Sequence, residues 1–349
     1  MINVIKKLPL PIWLSLLLYR ALNMWRLKVN KSSIESEILK LIELFCPSEL
    51  NNKNLINDVK SSYVRHLSKP LEYFLFKFQD KSENERSEYL TDFIKDTYLK
   101  KYANMKYAKQ LQDKFFVYKK MKPYFRRDAC VVLNENDRST FYEFVTHCPK
   151  FIAKPNTGSF GANTTIISVT DENKEDVFNR LLATRRSWIL EELIEQVPDM
   201  AIFNPMSVNS VRIPTFRTNN GYEIFGTFMR VGRAGSCVDN AGAGGIFMKV
   251  DEHTGEIISD GFNEKGDRFV NHPDSNIQFK GFKIPYYNEL KSLAIKCHGD
   301  LPEHKYVGWD FALTSEGWVL LEGNWGQFLC QQVSEKKPIK KEFINLIKS

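Results

Sequence analysis

The sequence predicts an α+β protein in which a helical N-terminal region precedes a mixed body. Three observations carry this reading. Glycine is absent from residues 1–105. Apolar residues in that stretch recur at helical spacing, as at Ile34, Ile38, Leu41, Ile42 and Phe45. Beyond about Lys109, short β-like runs alternate with helical segments, and the glycines gather there.

In order along the chain, Ser33–Leu44 and Ser87–Tyr98 read as helices. Phe151–Ala153, Thr164–Val169, Trp188–Leu190, Val211–Phe216, Ile224–Val231 and Gly245–Val250 read as strands. Asp176–Ala183 and Tyr287–Cys297 read as helices between them. At 349 residues the chain is too long for one small core and predicts two or three packed units.

The formal net charge of +7 is mild for this length. No zinc-ligand spacing, Lys/Arg-rich block or helix-turn-helix pattern is present, so nucleic acid is not expected as a partner. The six cysteines are scattered and never form C-x-x-C, as for reduced thiols in a cytoplasmic protein. At the N-terminus, Ile12 to Leu18 is almost wholly apolar. The first thirty residues hold Lys6, Lys7, Arg20, Arg26 and Lys28 and no acid. The run is too short to span a bilayer and Arg20 interrupts its continuation. No small-residue cleavage site follows it. Two readings stay open. Residues 1–28, with Trp13 and Trp25, lie in the interface at the inner face of a membrane, or they pack on the protein's own core or on a partner.

The sharpest motif runs from Val307 to Asn324 and reads as two strands joined by a tight turn ending in Gly317. Folding it places Asp310 opposite Glu322. Facing carboxylates repel, and a bound cation removes that cost. Asn324 shares the face of Glu322. Asp310, Glu322 and Asn324 together offer the hard oxygen ligands that Mg²⁺ prefers beside phosphates.

A second motif, Phe151 to Asn163, delivers Lys154 on a strand before a small loop with Gly158, Ser159, Phe160 and Gly161. Backbone N–H groups of such a loop approach phosphate closely, and Lys154 adds a point charge. A plain β-turn explains the glycines equally well. In Trp188 to Glu195 an apolar strand ends in acids, where a backbone edge suits an adenine and an acid suits a ribose hydroxyl. A strand end with solvated acids has the same pattern. Arg212 and Arg230 each sit inside an apolar strand pattern, which demands an anionic partner: phosphate, carboxylate or an internal salt bridge. The glycine-dense stretch from Val238 to Gly245 reads as a substrate loop.

Taken in this order, these residues resemble the ATP-grasp superfamily, and more closely its sugar-transfer-associated family, found with bacterial surface-polysaccharide genes. The resemblance covers roughly Lys109 to Gln332. It rests on the Lys154-Pro155 strand with its glycine loop, Asn209-Ser210-Val211-Arg212, Asp239-Asn240 with Gly244-Gly245, His272-Pro273, Gly308-Trp309-Asp310 and Glu322-Gly323-Asn324. It implies an ATP-grasp fold in which two α+β subdomains clasp ATP. The helical region would be residues 1–105, the smaller subdomain 106–190 and the larger 191–349.

The resemblance also implies roles. Lys114 and Lys154 would contact ATP, and the Gly158–Gly161 loop would close over its phosphates. Glu191, Glu192, Leu193 and Ile194 would form the adenine hinge, with Glu195 or Asp199 near the ribose. Asp310, Glu322 and Asn324 would hold Mg²⁺. Arg212 and Arg230 would stabilise the transferring phosphoryl group. Asn209, Asp239, Asn240, Gly244, Gly245 and His272 would face substrate, although His272 reads equally as a structural loop residue. The implied reaction is carboxylate–amine ligation through an acyl phosphate, joining a sugar acid or amino acid to a polysaccharide precursor. The alternatives are a kinase acting on a sugar hydroxyl and a nucleotide-binding subunit without catalysis.

Overall fold

Two antiparallel sheets carry the residues singled out above, and helices fill the space around them. The computed structural model describes residues 10–158, 164–236, 239, 244–326 and 328–349. The smaller sheet is built from β1 (Ala129–Val132), β2 (Lys150–Pro155), β3 (Thr165–Ser168) and β4 (Trp188–Glu192), in the order β1-β4-β2-β3. The helices Arg138–His147 and Lys174–Ala183 cover one face of it. Phe141, Phe144, Phe151, Phe178 and Leu190 form the core between helices and sheet.

The larger sheet holds β5 (Ser210–Thr218), β6 (Gly221–Ile224), β7 (Phe228–Val231), β8 (Ile246–Lys249), β9 (Gly261–Phe262), β10 (Arg268–Phe269), β11 (Tyr306–Thr314) and β12 (Gly317–Asn324). Its order is β10-β9-β8-β7-β5-β11-β12, with β6 pairing on β5. The stretch Ile224–Val231, expected as one strand, is therefore two. Pro214 in β5 has no N–H to extend a ladder but offers its carbonyl to Phe225 N at 3.1 Å. The chain bends there, and β6 and β7 pair with different halves of β5.

The helix Lys114–Phe125 precedes the smaller sheet in sequence but packs with the larger one. Val117, Tyr118, Met121 and Phe125 share a core with Val211, Ile213, Trp309, Phe311 and Leu320. Asp113 caps its start by accepting from Phe116 N at 2.9 Å.

The N-terminal helices have no separate core. Ile38, Ile42, Val59, Tyr73 and Phe78 pack with Phe228, Phe247 and Phe262 of the larger sheet. Tyr19, Leu67, Leu90 and Ile94 pack with Phe216, Tyr306, Phe328 and Phe343. The helix expected over Ser87–Tyr98 starts later, at Asp92, and runs to Tyr102. Leu90 is held in non-helical backbone because both its peptide groups bond one side chain. Its N–H donates to Gln332 Oε1 at 2.8 Å, and its carbonyl accepts from Gln332 Nε2 at 2.9 Å. No described helix is long and apolar enough to cross a membrane.

Candidate active site

The β11–β12 hairpin pairs Asp310 directly with Glu322 and Gly308 with Asn324. A regular ladder continued from the Thr314–Gly317 pair would set Asp310 against Leu321. The register shifts after the Phe311–Leu320 pair, and this bulge restores Glu322 to the position opposite Asp310. Gly317, with φ +97°, supplies the left-handed turn that lets the hairpin close. Asn324 links the two acids. Its Nδ2 donates to Asp310 Oδ2 at 3.0 Å and to Glu322 Oε1 at 2.9 Å.

On the other side of β11, Asp310 pairs in register with Arg212 of β5. Arg212 is fully buried and forks onto the carboxylate, Nε to Oδ1 and Nη2 to Oδ2, both at 2.5 Å. Arg230 of β7 brings Nη2 to 3.0 Å from the same Oδ2. Burial pushes the Asp310 carboxyl up, but the two guanidiniums outweigh it and hold the group below the usual carboxylate range. Arg230 also donates to Ser210 Oγ at 2.9 Å. Asp239 accepts from Ser210 N at 2.9 Å and from the Ser210 hydroxyl, and stands 3.7 Å from Arg230 Nε. Arg230, Arg212, Asp310 and Glu322 thus lie on four adjacent strands, and Asp239, from outside the strands, is the third carboxylate facing the two guanidiniums.

This donor set fits Mg²⁺. Glu322, Asp310 and Asn324 share one face and offer hard oxygen atoms, and the acids outnumber the arginines by one. Glu322 is half-buried, with Arg212 Nη2 at 4.0 Å. Among the described residues no group of three or more His, Cys, Asp and Glu side chains is placed to hold a metal by itself. Nucleotide phosphates would therefore have to complete the shell.

The smaller sheet supplies the opposite wall. Lys154 on β2 lies beside β4, where its Nζ donates to Glu191 Oε1 at 3.1 Å. The other Glu191 oxygen accepts from Arg127, whose Nη1 also donates to the Leu320 carbonyl at 2.7 Å. Burial raises the Glu191 carboxyl, yet Lys154 and Arg127 overcome it and hold it down at about 2. Glu191 is thus a buried anchor for Lys154, and its side chain is not exposed to a nucleotide.

Lys114 opens its helix next to the end of β2. Asn156 fastens the two: its Oδ1 accepts from Phe115 N at 2.8 Å, and its Nδ2 donates to Asp113 Oδ1 at 3.1 Å. Lys114 Nζ donates to the Gly158 carbonyl at 2.8 Å. Burial lowers the Lys114 ammonium. Glu322 opposes that shift and Lys154 adds to it, so both walls act on this one charge.

The remaining expected residues divide. Leu193 and Ile194 follow the end of β4 as half-buried loop residues, while Glu192, Glu195 and Asp199 are exposed. Gly158 has φ +114° and Gly244 φ +88°, both in the region that favours glycine, and Gly245 is buried just before β8. Ser159, Phe160, Gly161 and Asn240 lie outside the described residues.

Two expected substrate contacts are fold fasteners instead. Asn209 is fully buried, and its Nδ2 donates to the carbonyls of Met200 at 2.8 Å and Asn204 at 3.1 Å. His272 is also fully buried, with Nε2 against the Gly232 carbonyl at 2.9 Å. Its Nδ1 accepts from Asp274 N and Ser275 N at 3.3 and 3.2 Å.

Arg127, Asn156 as a fastener and Ser210 escaped the sequence reading of the site. Arg127 is the most informative omission. Its one sequence signal is a basic pair, Arg126-Arg127, where a helix ends before a strand, and its partner Glu191 lies 64 positions away.

A family model described as sugar-transfer associated ATP-grasp matches residues 94–348. No curated protein matches the chain. Solved structures that resemble it include a D-cycloserine synthetase, DcsG, at 11% identity, covering 70% of this chain and 73% of that one with a TM-score of 0.42. Another is an ATP-grasp ligase, PsnB, complexed with minimal precursor, at 13% identity, 76% and 69% coverage and a TM-score of 0.44. A third is the D-alanine–D-alanine ligase from Bacillus anthracis, at 14% identity, 70% and 69% coverage and a TM-score of 0.41. These structural likenesses are low, and the family match, which spans most of the chain, carries the assignment. The chain belongs to the sugar-transfer associated ATP-grasp family.

Proposed function

We propose that this protein is a Mg²⁺- and ATP-dependent carboxylate–amine ligase that works through an acyl phosphate. The observation that carries the reading is the meeting of two walls. Lys114 and Lys154 stand on one, and Asp310, Glu322, Asn324, Arg212 and Arg230 on the other. Lysines fixed by Glu191 and by the Gly158 carbonyl suit the phosphates of ATP as point charges. The hairpin acids and Asn324 would hold Mg²⁺, which would neutralise charge between phosphate oxygens. Arg230 reaches the same carboxylate from the neighbouring strand and suits charge that builds up on a transferring phosphoryl group.

In the proposed sequence the γ-phosphoryl group passes to a substrate carboxylate. An amine then attacks the acyl carbon, and phosphate leaves with one carboxylate oxygen. The family's association with sugar transfer favours a sugar acid or an amino acid as the carboxylate, joined to a polysaccharide precursor. The deciding experiment screens carboxylate–amine pairs with Mg²⁺-ATP, using carboxylates labelled with ¹⁸O. The ligase reading requires one labelled oxygen in the released phosphate. Phosphate retained on a sugar hydroxyl would move the assignment to a kinase.

A further inference from the structure

We propose that the helix Ile12–Val29 is a docking surface for anionic membrane, lying along the bilayer interface with its outward face in the headgroup layer. The helix is anchored from its other side. Tyr19 and Asn23 are buried, Asn23 Nδ2 donates to the Tyr63 carbonyl at 2.7 Å, and Arg26 Nη1 donates to the Tyr63 hydroxyl at 3.2 Å. That leaves an outward stripe of Trp13, Leu17, Arg20, Ala21, Met24 and Lys28, spaced by three or four residues. Trp13 is 64% exposed, Trp25 53% and Met24 50%, and Leu17 and Val29 are exposed beside them.

A helix of a water-soluble protein puts its apolar side inward and its charge outward. Here Leu16, Tyr19 and Leu22 pack inward together with Asn23, yet two tryptophans, a methionine and a leucine face out as well. An ordinary surface helix does not explain this second, exposed apolar face. Large apolar side chains interleaved with cations, on a helix that does not cross the bilayer, are what the interface accepts.

Charge selects the occupant. Residues 10–31 contain Arg20, Arg26, Lys28 and Lys31 and no acid. An adjoining groove of about 580 Å³ adds Lys101 and Lys348 beside Trp13, Leu16, Tyr98 and Tyr102. The nearest acids on the neighbouring Asp92–Tyr102 helix, Asp92 and Asp96, are engaged by Lys69 and Lys95. A second copy docked through this face would set like charges together. An anionic lipid surface neutralises them, and each basic side chain near such a surface contributes about a fivefold gain in partitioning.

Flotation of the full-length protein with phosphatidylcholine vesicles, with and without phosphatidylglycerol, tests the inference. The expected result is flotation with the anionic vesicles only. Trp13→Glu/Leu17→Glu is expected to remove it. Arg20→Gln/Lys28→Gln is expected to weaken it about twentyfold or more. Both pairs are solvent-facing, so unchanged thermal unfolding accompanies the loss, and the two pairs probe the face independently of each other. The inference is overturned if wild type fails to float with anionic vesicles. It is equally overturned if the Glu variant floats like wild type, or if sedimentation shows self-association that this variant abolishes without vesicle binding. The last result would assign the face to a second copy.

Discussion

Arg212 and Asp310 form a fully buried two-bond ion pair across β5 and β11, at the point where the candidate metal and phosphate sites meet. The pair makes Asp310 a structural residue as well as a candidate ligand. Asp310→Asn removes the one carboxylate that both buried guanidiniums share. A loss of about 3–5 kcal/mol of stability is expected, together with lost turnover. Urea unfolding of the variant checks the first part. A variant as stable as wild type would show that the arginines find other counter-ions.

Glu322 separates the two roles. It is half-buried and its closest bonded partner is Asn324, so Glu322→Gln keeps that hydrogen bond and removes one charge. Turnover with Mg²⁺-ATP should fall by roughly 10²–10³ with the unfolding midpoint unchanged. Wild-type turnover in a folded variant would remove Glu322 from the metal set.

Lys154→Ala should weaken binding of a non-hydrolysable ATP analogue by about 10- to 100-fold, the range for a hydrogen bond to a charged group. Stability should fall less than it does for Glu191→Gln, because the buried Glu191 loses one of its two counter-charges and keeps Arg127. Titration calorimetry reads the first and thermal unfolding the second. Unchanged affinity would leave Lys154 as a partner of Glu191 and nothing more.

How much of this was legible depends on whether a pattern was local. The facing of Asp310 and Glu322 could be read because a hairpin's period fixes it to within one residue. The bulge that perfects the register left no mark on that period. The arginines at 212 and 230 announced themselves as charges inside apolar strands. Their partner was open between phosphate and carboxylate, and in the structure both meet Asp310. Arg127 was invisible because its meaning comes from Glu191 and Leu320, both distant in sequence. The substrate role of Asn209 came from the resemblance alone, and His272 stood open between substrate contact and structural loop residue; only the three-dimensional fold shows their bonds closing on nearby carbonyls and amides. The late start of the Asp92–Tyr102 helix has the same origin, a tether from Gln332 that overrides local helical spacing.

Acid should destabilise the protein in two adjoining windows, to which one buried histidine and one buried glutamate each contribute. His298 is fully buried, with Nδ1 at 2.8 Å from Thr215 Oγ1 and Nε2 at 2.8 Å from the His304 carbonyl. Burial depresses its imidazole from 6.5 to about 4. Between those values the unfolded chain binds a proton that the folded protein refuses. Stability is therefore complete above pH 6.5 and falls as pH drops toward 4. Glu191 acts lower. Burial raises its carboxyl, but Lys154 and Arg127 prevail and take it from 4.5 to about 2. Its contribution is complete above pH 4.5 and is lost as pH falls toward 2. Each window corresponds to about 3 kcal/mol when fully traversed. Urea unfolding across pH resolves them. His298→Gln should make the slope between pH 6.5 and 4 shallower, with His66 and His304 still contributing, and leave the lower window in place. Glu191→Gln should do the reverse, at a stability already reduced by about 3–5 kcal/mol near neutral pH, because Arg127 is left buried without its anion. Asp92 and Asp274 also titrate low, so the variant's slope below pH 4.5 should be reduced and not abolished; a profile that keeps the full wild-type slope there would mean that the Glu191 carboxylate does not contribute to it.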